Sequence, residues 1–190
     1  KQATAAETIA QGVVRHKPAG RESAESEKRD LLRRLIADEG DSLTNAIVFC
    51  NRKRDVDVVF KSLKKHGLNV GALHGDLDQS VRTRTLDGFR SGEITVLVAS
   101  DVAARGLDIP SVSHVFNFDV PIHSEDYIHR IGRTGRAGRK GKAITLCFPH
   151  EEKHLAKIDE MVGKTVPRLD NPLVAGVVEA PAEAAAVAEE

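Results

Sequence analysis

The chain has 190 residues, 41 % of them hydrophobic, and its 28 Lys and Arg residues balance 28 Asp and Glu residues to give zero net charge. This length and composition predict one globular domain with a sizeable core. No apolar run approaches the roughly 20 residues that a membrane-spanning helix needs, no signal-like apolar segment opens the chain, and no overall basic excess points to nucleic acid.

The first predicted elements are an N-terminal segment and a helix. Residues 1–24 show little hydrophobic periodicity, and we expect them to form a linker or an N-terminal extension. Since the chain begins with Lys1 rather than Met, it is expected to be a fragment of a longer protein. Apolar residues from Leu31 to Ile36 then mark one face of a helix that ends near Gly40.

Buried strands and amphipathic helices alternate through the centre of the chain. Five apolar runs predict strands, over Ala46–Cys50, Val70–Leu73, Ile94–Ala99, Val112–Phe118 and Ala143–Phe148. Helical spacing of apolar residues between and after them predicts four helices, around Val56–Leu63, Val81–Phe89, Ser124–Ile131 and Leu155–Met161. Asp78 and Ser124 are the expected N-caps of the second and third of these helices.

This alternation indicates an open parallel sheet with helices on both faces, a three-layer α/β domain over residues 25–165. Residues 166–190 are expected to be a C-terminal extension. Its Ala- and Glu-rich composition predicts disorder from about residue 174. In such sheets ligands bind at the loops that follow the carboxyl ends of the strands, and here those loops carry most of the unusual polar residues.

The two cysteines indicate the compartment. Cys50 and Cys147 each lie on an apolar run, and they lack the paired spacing of a zinc site. We therefore expect two buried free thiols and a reducing, cytoplasmic location. The lack of a long apolar run predicts no membrane association.

The most distinctive segment is the basic run Tyr127–Gly141, which reads YIHRIGRTGRAGRKG. Arg133, Arg136 and Arg139 recur every third residue in a glycine-rich stretch. Glycine lets a ligand approach the backbone closely, and the planar guanidinium fork matches phosphate oxygens. The alternative is a solvated basic loop, which the regular pattern disfavours.

This run resembles motif VI of superfamily 2 helicases in the form found in DEAD-box RNA helicases, where a histidine such as His129 precedes the first arginine. Further segments resemble other motifs of that family in the same order, namely Ile47–Asn51, Leu73–Asp76, Gln79–Arg82, Phe89–Gly92, Val96–Pro110 and Phe116–Pro121. The likeness covers roughly residues 25–165 and implies a RecA-like fold. One departure is Ser100, where the family usually has Thr, and Ser keeps the hydroxyl.

The resemblance implies a role for individual residues at the nucleotide. Arg133 and Arg136 match the arginine fingers that reach the γ-phosphate of ATP on another lobe, and Asp108 matches an acid that contacts the ribose. His129 and Arg130 match residues that join the two lobes.

The resemblance also implies contacts to the RNA backbone, for Asn51, Arg52, Gly75, Arg82, Ser100, Arg105 and Gly106. An alternative for Arg82 is a solvated arginine on a helix. Asp101 and Asp119 are equally consistent with turn or capping residues.

ATP and Mg²⁺ are expected to be held mainly by a missing N-terminal lobe. The sequence contains neither a G-x-x-x-x-G-K-[ST] loop nor an Asp-Glu-Ala-Asp run. His150 and His154 fit the zinc pattern H-E-x-x-H, but they lie at a helix start with charged residues between them, so we expect no metal there.

The expected function is therefore the C-terminal lobe of an ATP-dependent RNA helicase, inactive as an isolated fragment. Its expected partners are RNA, contacted through the backbone with little sequence specificity, and the N-terminal lobe of the same protein, with protein partners for the C-terminal tail. Two alternatives are a non-catalytic RNA-binding or scaffold module with a helicase-derived fold, and a lobe of a DNA helicase.

Overall fold

The computed structural model describes residues 8–174. Seven strands, β1 to β7, cover Ile9–Arg15, Ala46–Cys50, Val70–Leu73, Val96–Ser100, His114–Asn117, Gly141–Cys147 and Arg168–Leu169. Six α-helices, α1 to α6, cover Ala24–Asp38, Lys53–Lys65, Gln79–Ser91, Asp101–Ala104, Ser124–Ile131 and Glu152–Val162. None of these helices is both long and apolar enough to cross a membrane.

The strands form one sheet in the order β3-β4-β2-β5-β6-β1-β7, and every neighbouring pair is parallel. At the centre, Val48 of β2 pairs with Val98 of β4 on one side and with Phe116 of β5 on the other. Because all strands run in one direction, the loops after β2, β3, β4 and β5 lie along the same edge of the sheet.

Two apolar cores, one on each face of the sheet, explain why β2 is apolar at every position and β4 at every position before Ser100. Val48 and its alternate neighbours pack against α1 and α2, which contribute Leu31, Leu32 and Val59. Phe49 and its alternate neighbours pack on the opposite face, where α3, α5 and α6 contribute residues such as Phe89, Tyr127, Ile131, Leu155 and Ile158. The expected three-layer α/β fold is confirmed.

The expectation for the N-terminal segment was wrong over β1. Instead of a linker, Ile9–Arg15 forms a strand between β6 and β7, inside the sheet. Its polar Gln11 and small Gly12 hide the apolar pattern. A Cβ atom on Gly12 would lie 2.3 Å from Leu169 Cδ1, so β7 packs closely against this position.

A polar clamp joins the end of β1 to α1. Glu27 accepts hydrogen bonds from Ser23 Oγ, from His16 Nε2 at 2.6 Å and from the Ala19 amide at 3.0 Å. These contacts, among which the Ser23 hydrogen bond has the largest effect, lower the pKa of Glu27 from 4.5 to about 2. The residues after β7 are tied to the same clamp, since Asn171 Nδ2 lies 2.8 Å from His16 Nδ1.

The remaining differences concern helix starts and the chain end. Asp78 occupies the N-cap of α3 without a side-chain capping bond, and His123 rather than Ser124 is the N-cap of α5. The disorder expected from about residue 174 concerns residues outside the described part of the chain.

Candidate functional site

The candidate site lies where the loops after β2, β4 and β5 meet α5. Arg130, in the last turn of α5, is at the centre of this meeting point, with only 1 % of its surface exposed. Its guanidinium forms a two-pronged ion pair with Asp101, with Nε and Nη2 each 2.7 Å from a carboxylate oxygen. Nη2 also donates to Asn51 Oδ1 at 2.6 Å.

The other terminal nitrogen of Arg130 also donates to acceptors within the lobe. Nη1 donates to the Asp119 carbonyl at 2.8 Å and to Asn117 Oδ1 at 3.3 Å, and the guanidinium lies 5.4 Å from the centre of the Phe49 ring. The expectation that Arg130 joins the two lobes stays a prediction. Arg130 is a positioning residue that ties three site loops together inside this lobe.

The polar contacts continue from Arg130 toward α1. Asp119 accepts from the Asn51 amide at 2.8 Å and from Lys28 Nζ at 2.7 Å, and Lys28 also lies 3.5 Å from Glu151. Burial alone would lower the pKa of Lys28, but the two carboxylates raise it overall. We call Lys28, Asp119, Asn51, Arg130 and Asp101 the buried network.

This network changes the interpretation of two of its members. The Asn51 side chain was expected to contact RNA. Its amide group donates to the Val120 carbonyl at 3.0 Å, and its side-chain carbonyl accepts from Arg130. Asn51 therefore positions the loop after β2. Asp119 is likewise a structural acceptor for Lys28 and not a free turn residue.

Arg133 and Arg136 lie on the loop after α5, beside a cleft of about 490 Å³. Arg133 donates to the carbonyls of Ala104 at 2.9 Å and Leu107 at 3.1 Å. Arg136 donates to the Ile109 carbonyl at 3.1 Å. Both arginines are thus held by the loop that follows β4, with donors left over for a ligand.

The charges in this cleft favour an anionic ligand. Its two acids, Asp101 and Asp126, already face Arg130 and Arg105 respectively. Arg133 and Arg136 form no ion pair with any residue between 8 and 174. Burial and the nearby Arg136 lower the pKa of Arg133, which still remains charged near neutral pH.

The loop that carries these arginines has an unusual backbone shape, fixed by β1. Gly135 and Ala137 adopt left-handed φ angles of 71° and 56°. Thr8 Oγ1 donates to the Gly135 carbonyl at 2.8 Å, and a Cβ atom on Gly135 would lie 2.6 Å from Ile9 Cγ1. The start of β1 therefore supports the arginine loop, a contact across more than 120 residues that the sequence pattern gave no sign of.

Asp108, expected at the nucleotide, and His129, expected at the other lobe, are accessible. Asp108 is exposed, and its carbonyl accepts from Arg90 Nη2 at 3.0 Å. The His129 side chain is 71 % exposed and lies 3.9 Å from Asp126. Both therefore remain available for contacts with other molecules.

Most residues expected at RNA lie along the same edge of the sheet. Arg52 and Arg105 are exposed, with one acidic neighbour each, Asp55 at 3.0 Å and Asp126 at 3.4 Å. Gly75, Arg82 and Gly106 have accessible surface, whereas Ser100 is 8 % exposed and accepts from the Ala103 amide at 3.3 Å to cap α4. The Ser100 hydroxyl proton remains available for donation.

The histidine pair that fits a zinc pattern is split between two elements. His150 lies exposed in the short 3₁₀ turn Pro149–Glu151, and His154 lies on α6. Over residues 8–174, no three His, Cys, Asp or Glu side chains are grouped so that they could hold a metal ion.

Comparison with known proteins relates this chain to helicases. Residues 27–138 match the helicase conserved C-terminal domain. The ATP-dependent RNA helicase CshA of Listeria monocytogenes is 47 % identical over 148 residues, which cover 78 % of this chain and 28 % of that protein. The chain thus spans less than a third of the length of this relative.

Solved structures with a similar fold include DEAD-box proteins. A chain of the Escherichia coli DEAD-box protein SrmB, crystallised with regulator of ribonuclease activity A, is 38 % identical with a TM-score of 0.76, over 85 % of this chain and 90 % of that chain. Saccharomyces cerevisiae Dbp5 bound to RNA and ADP BeF3 is 34 % identical with a TM-score of 0.77, over 95 % of this chain and 46 % of that chain.

The chain belongs to the helicase conserved C-terminal domain family, as its parallel RecA-like sheet and glycine-rich arginine loop indicate. Within that family it is a C-terminal domain of the DEAD-box RNA helicase type, since SrmB, Dbp5 and the CshA helicase of Bacillus cereus, to which it is similar, are DEAD-box proteins.

Proposed function

We propose that this chain works as one half of an ATP-driven RNA helicase and delivers Arg133 and Arg136 to ATP held by a second, N-terminal lobe. The observation that carries this proposal is the cleft beside the arginine loop, in which both guanidinium groups are oriented by backbone carbonyls and lack a carboxylate partner among residues 8–174. Such a pair of cations stabilises the charge that develops during phosphoryl transfer.

The rest of the site supports this role without taking part in the chemistry. The buried network fixes the loops after β2, β4 and β5 relative to the arginine loop, and β1 supports the loop from the other side. A preorganised array of donors stabilises a transition state because it needs no rearrangement when charge develops.

The proposed RNA contacts belong to the exposed edge of the sheet. Arg52, Gly75, Arg82, Ser100, Arg105 and Gly106 would meet phosphate and sugar groups, which carry little sequence information. The curated relatives are ATP-dependent, and we assign ATP and Mg²⁺ chiefly to the N-terminal lobe. Asp108 would meet the ribose. Two buried free thiols are consistent with a reducing cytoplasm.

The test is reconstitution of turnover. The 190-residue chain alone is expected to show no ATPase activity, and covalent linkage to an N-terminal lobe with a phosphate-binding loop is expected to give ATPase activity that RNA stimulates. A non-catalytic binding module would bind RNA in the linked protein without any RNA-stimulated hydrolysis, and that result would reject the proposal.

A further inference from the structure

A second cavity lies beyond the arginine loop, next to the segment that follows Asp108. It has a volume of about 400 Å³, within the roughly 300–1,000 Å³ range of ligand sites. Its walls are formed by residues 44–45, 89–92, 94–95, 110–113 and 139–140. We call this cavity the basic pocket. It shares no residue with the cleft beside Arg133 and Arg136.

The walls of the basic pocket carry cations and no acid. Arg90, Arg139 and Lys140 line it, and none of its lining residues is Asp or Glu. Four other cavities in residues 8–174 each have at least one acid in their walls. Arg139 and Lys140 are exposed and form no ion pair with any described residue. Arg139 and Lys140 therefore give the pocket positive charge that the described part of the protein does not neutralise.

Among the three cations, the Arg90 side chain has two hydrogen-bond partners in the described part of the chain. One of its terminal nitrogens donates to the Asp108 carbonyl at 3.0 Å, and the other lies 3.4 Å from the exposed carboxylate of Asp87, outside the pocket. These contacts hold the Arg90 guanidinium at the rim. Because a guanidinium has five N–H donors, further donors remain for a ligand.

Hydrogen bonds between two walls make the pocket preformed. The Thr44 amide donates to Ser113 Oγ at 3.0 Å, and the Ser113 amide donates to Asn45 Oδ1 at 2.9 Å. The segment before β2 is thereby joined to the segment before β5. These two walls of the pocket, with Ser111 beside them, are thus held in place before a ligand binds, which lowers the entropic cost of binding.

We propose that the basic pocket binds phosphate groups of a polyanionic ligand, at a site separate from the arginine cleft. Guanidinium and ammonium groups form short, charge-assisted hydrogen bonds with phosphate oxygens. Two sources share this chemistry, the backbone of an RNA strand and a free polyphosphate. Phosphate binding at the basic pocket does not require ATP hydrolysis by the linked lobes.

The experiment uses two probes, sodium tripolyphosphate and a single-stranded RNA oligonucleotide, each titrated into the isotope-labelled 190-residue chain at fixed ionic strength. Backbone amide signals of Thr44, Gly92 and Ser111 report on the pocket. The test variant is R139Q/K140Q. Its matched control is K61Q/K65Q, which removes two exposed lysines of α2 and gives the same change in net charge.

Tripolyphosphate is expected to change the chemical shifts of the pocket amides in a saturable way. The affinity for tripolyphosphate should fall by roughly tenfold for each cation removed in R139Q/K140Q. It should be retained in K61Q/K65Q. If RNA produces the same shifts and competes, the RNA backbone is the source. If RNA leaves these amides unchanged while tripolyphosphate moves them, a free polyphosphate is the source. Equal losses in the two variants, or no pocket shifts with either probe, would overturn the proposal.

Discussion

Substitution Arg130→Met tests whether the buried network organises the site. Methionine has a similar length and keeps the apolar contact with Phe49, but it removes every donor. Asp101, Asn51 and the Asp119 carbonyl then lose their partner in a place from which water is largely excluded. Removing one partner of a buried ion pair costs about 3–5 kcal/mol, a large part of the roughly 5–15 kcal/mol that stabilises a typical domain.

Urea unfolding followed by circular dichroism measures this loss as a lower midpoint at unchanged slope. The control is Arg136→Met on the exposed loop, which is expected to cost about 1 kcal/mol or less. A double-mutant cycle with Asp101→Asn should show a coupling energy of at least about 1 kcal/mol. A loss in Arg130→Met no larger than in the control would refute the structural role of the network.

Three further predictions concern the clamp, the arginine loop and RNA. Since the pKa of Glu27 is about 2 when folded and 4.5 ordinarily, its stabilising effect is complete above pH 4.5 and disappears as the pH falls toward 2. The difference in urea midpoint between wild type and Glu27→Gln should therefore close over that window, and a difference independent of pH would contradict the clamp. Gly135→Ala should destabilise the chain by about 1–3 kcal/mol in the same assay, because Ala is strained at this φ angle and its Cβ meets Ile9, whereas Gly20→Ala, with open space around it, should have little effect. RNA binding by the chain alone should be weak and should fall with salt at a log–log slope of about −0.7 per phosphate contact, while salt-independent binding would argue against a backbone-contact surface.

Most of the fold was predictable from local patterns. β2 and β4 are buried on both faces, so Ala46–Cys50 and residues 96–99 are uninterrupted apolar runs. The helix α2 shows its buried stripe through Val56, Val59 and Leu63. β1 was missed because Gln11, which faces α5 and accepts from the buried Tyr127 hydroxyl, and Gly12 break the apolar pattern. Its place in the sheet depends on pairing with β6, more than 100 residues away.

The site was predictable in composition but not in arrangement. The arginine loop and the loops after the strands are visible as motifs, yet the sequence did not distinguish buried from exposed members. Arg130 and Arg133 are three residues apart, but one is enclosed by Asp101 and Asn51 while the other faces the cleft. Lys28 could not be predicted as a member of the buried network, because its partner Asp119 is 91 residues away in the sequence.

The measurement that tests the central claim most directly is steady-state RNA-stimulated ATPase of the linked two-lobe protein, combined with fluorescent-nucleotide binding. Arg136→Ala is expected to lower kcat by roughly 10²–10³-fold with an unchanged nucleotide Kd, because the arginine acts on the transition state and Arg133 remains. Arg136→Lys should restore only part of the activity, since lysine lacks the planar fork. Arg139→Ala, further along the same run, should lower kcat far less. Equal, mild effects of Arg136→Ala and Arg139→Ala would show that the run is only an electrostatic patch.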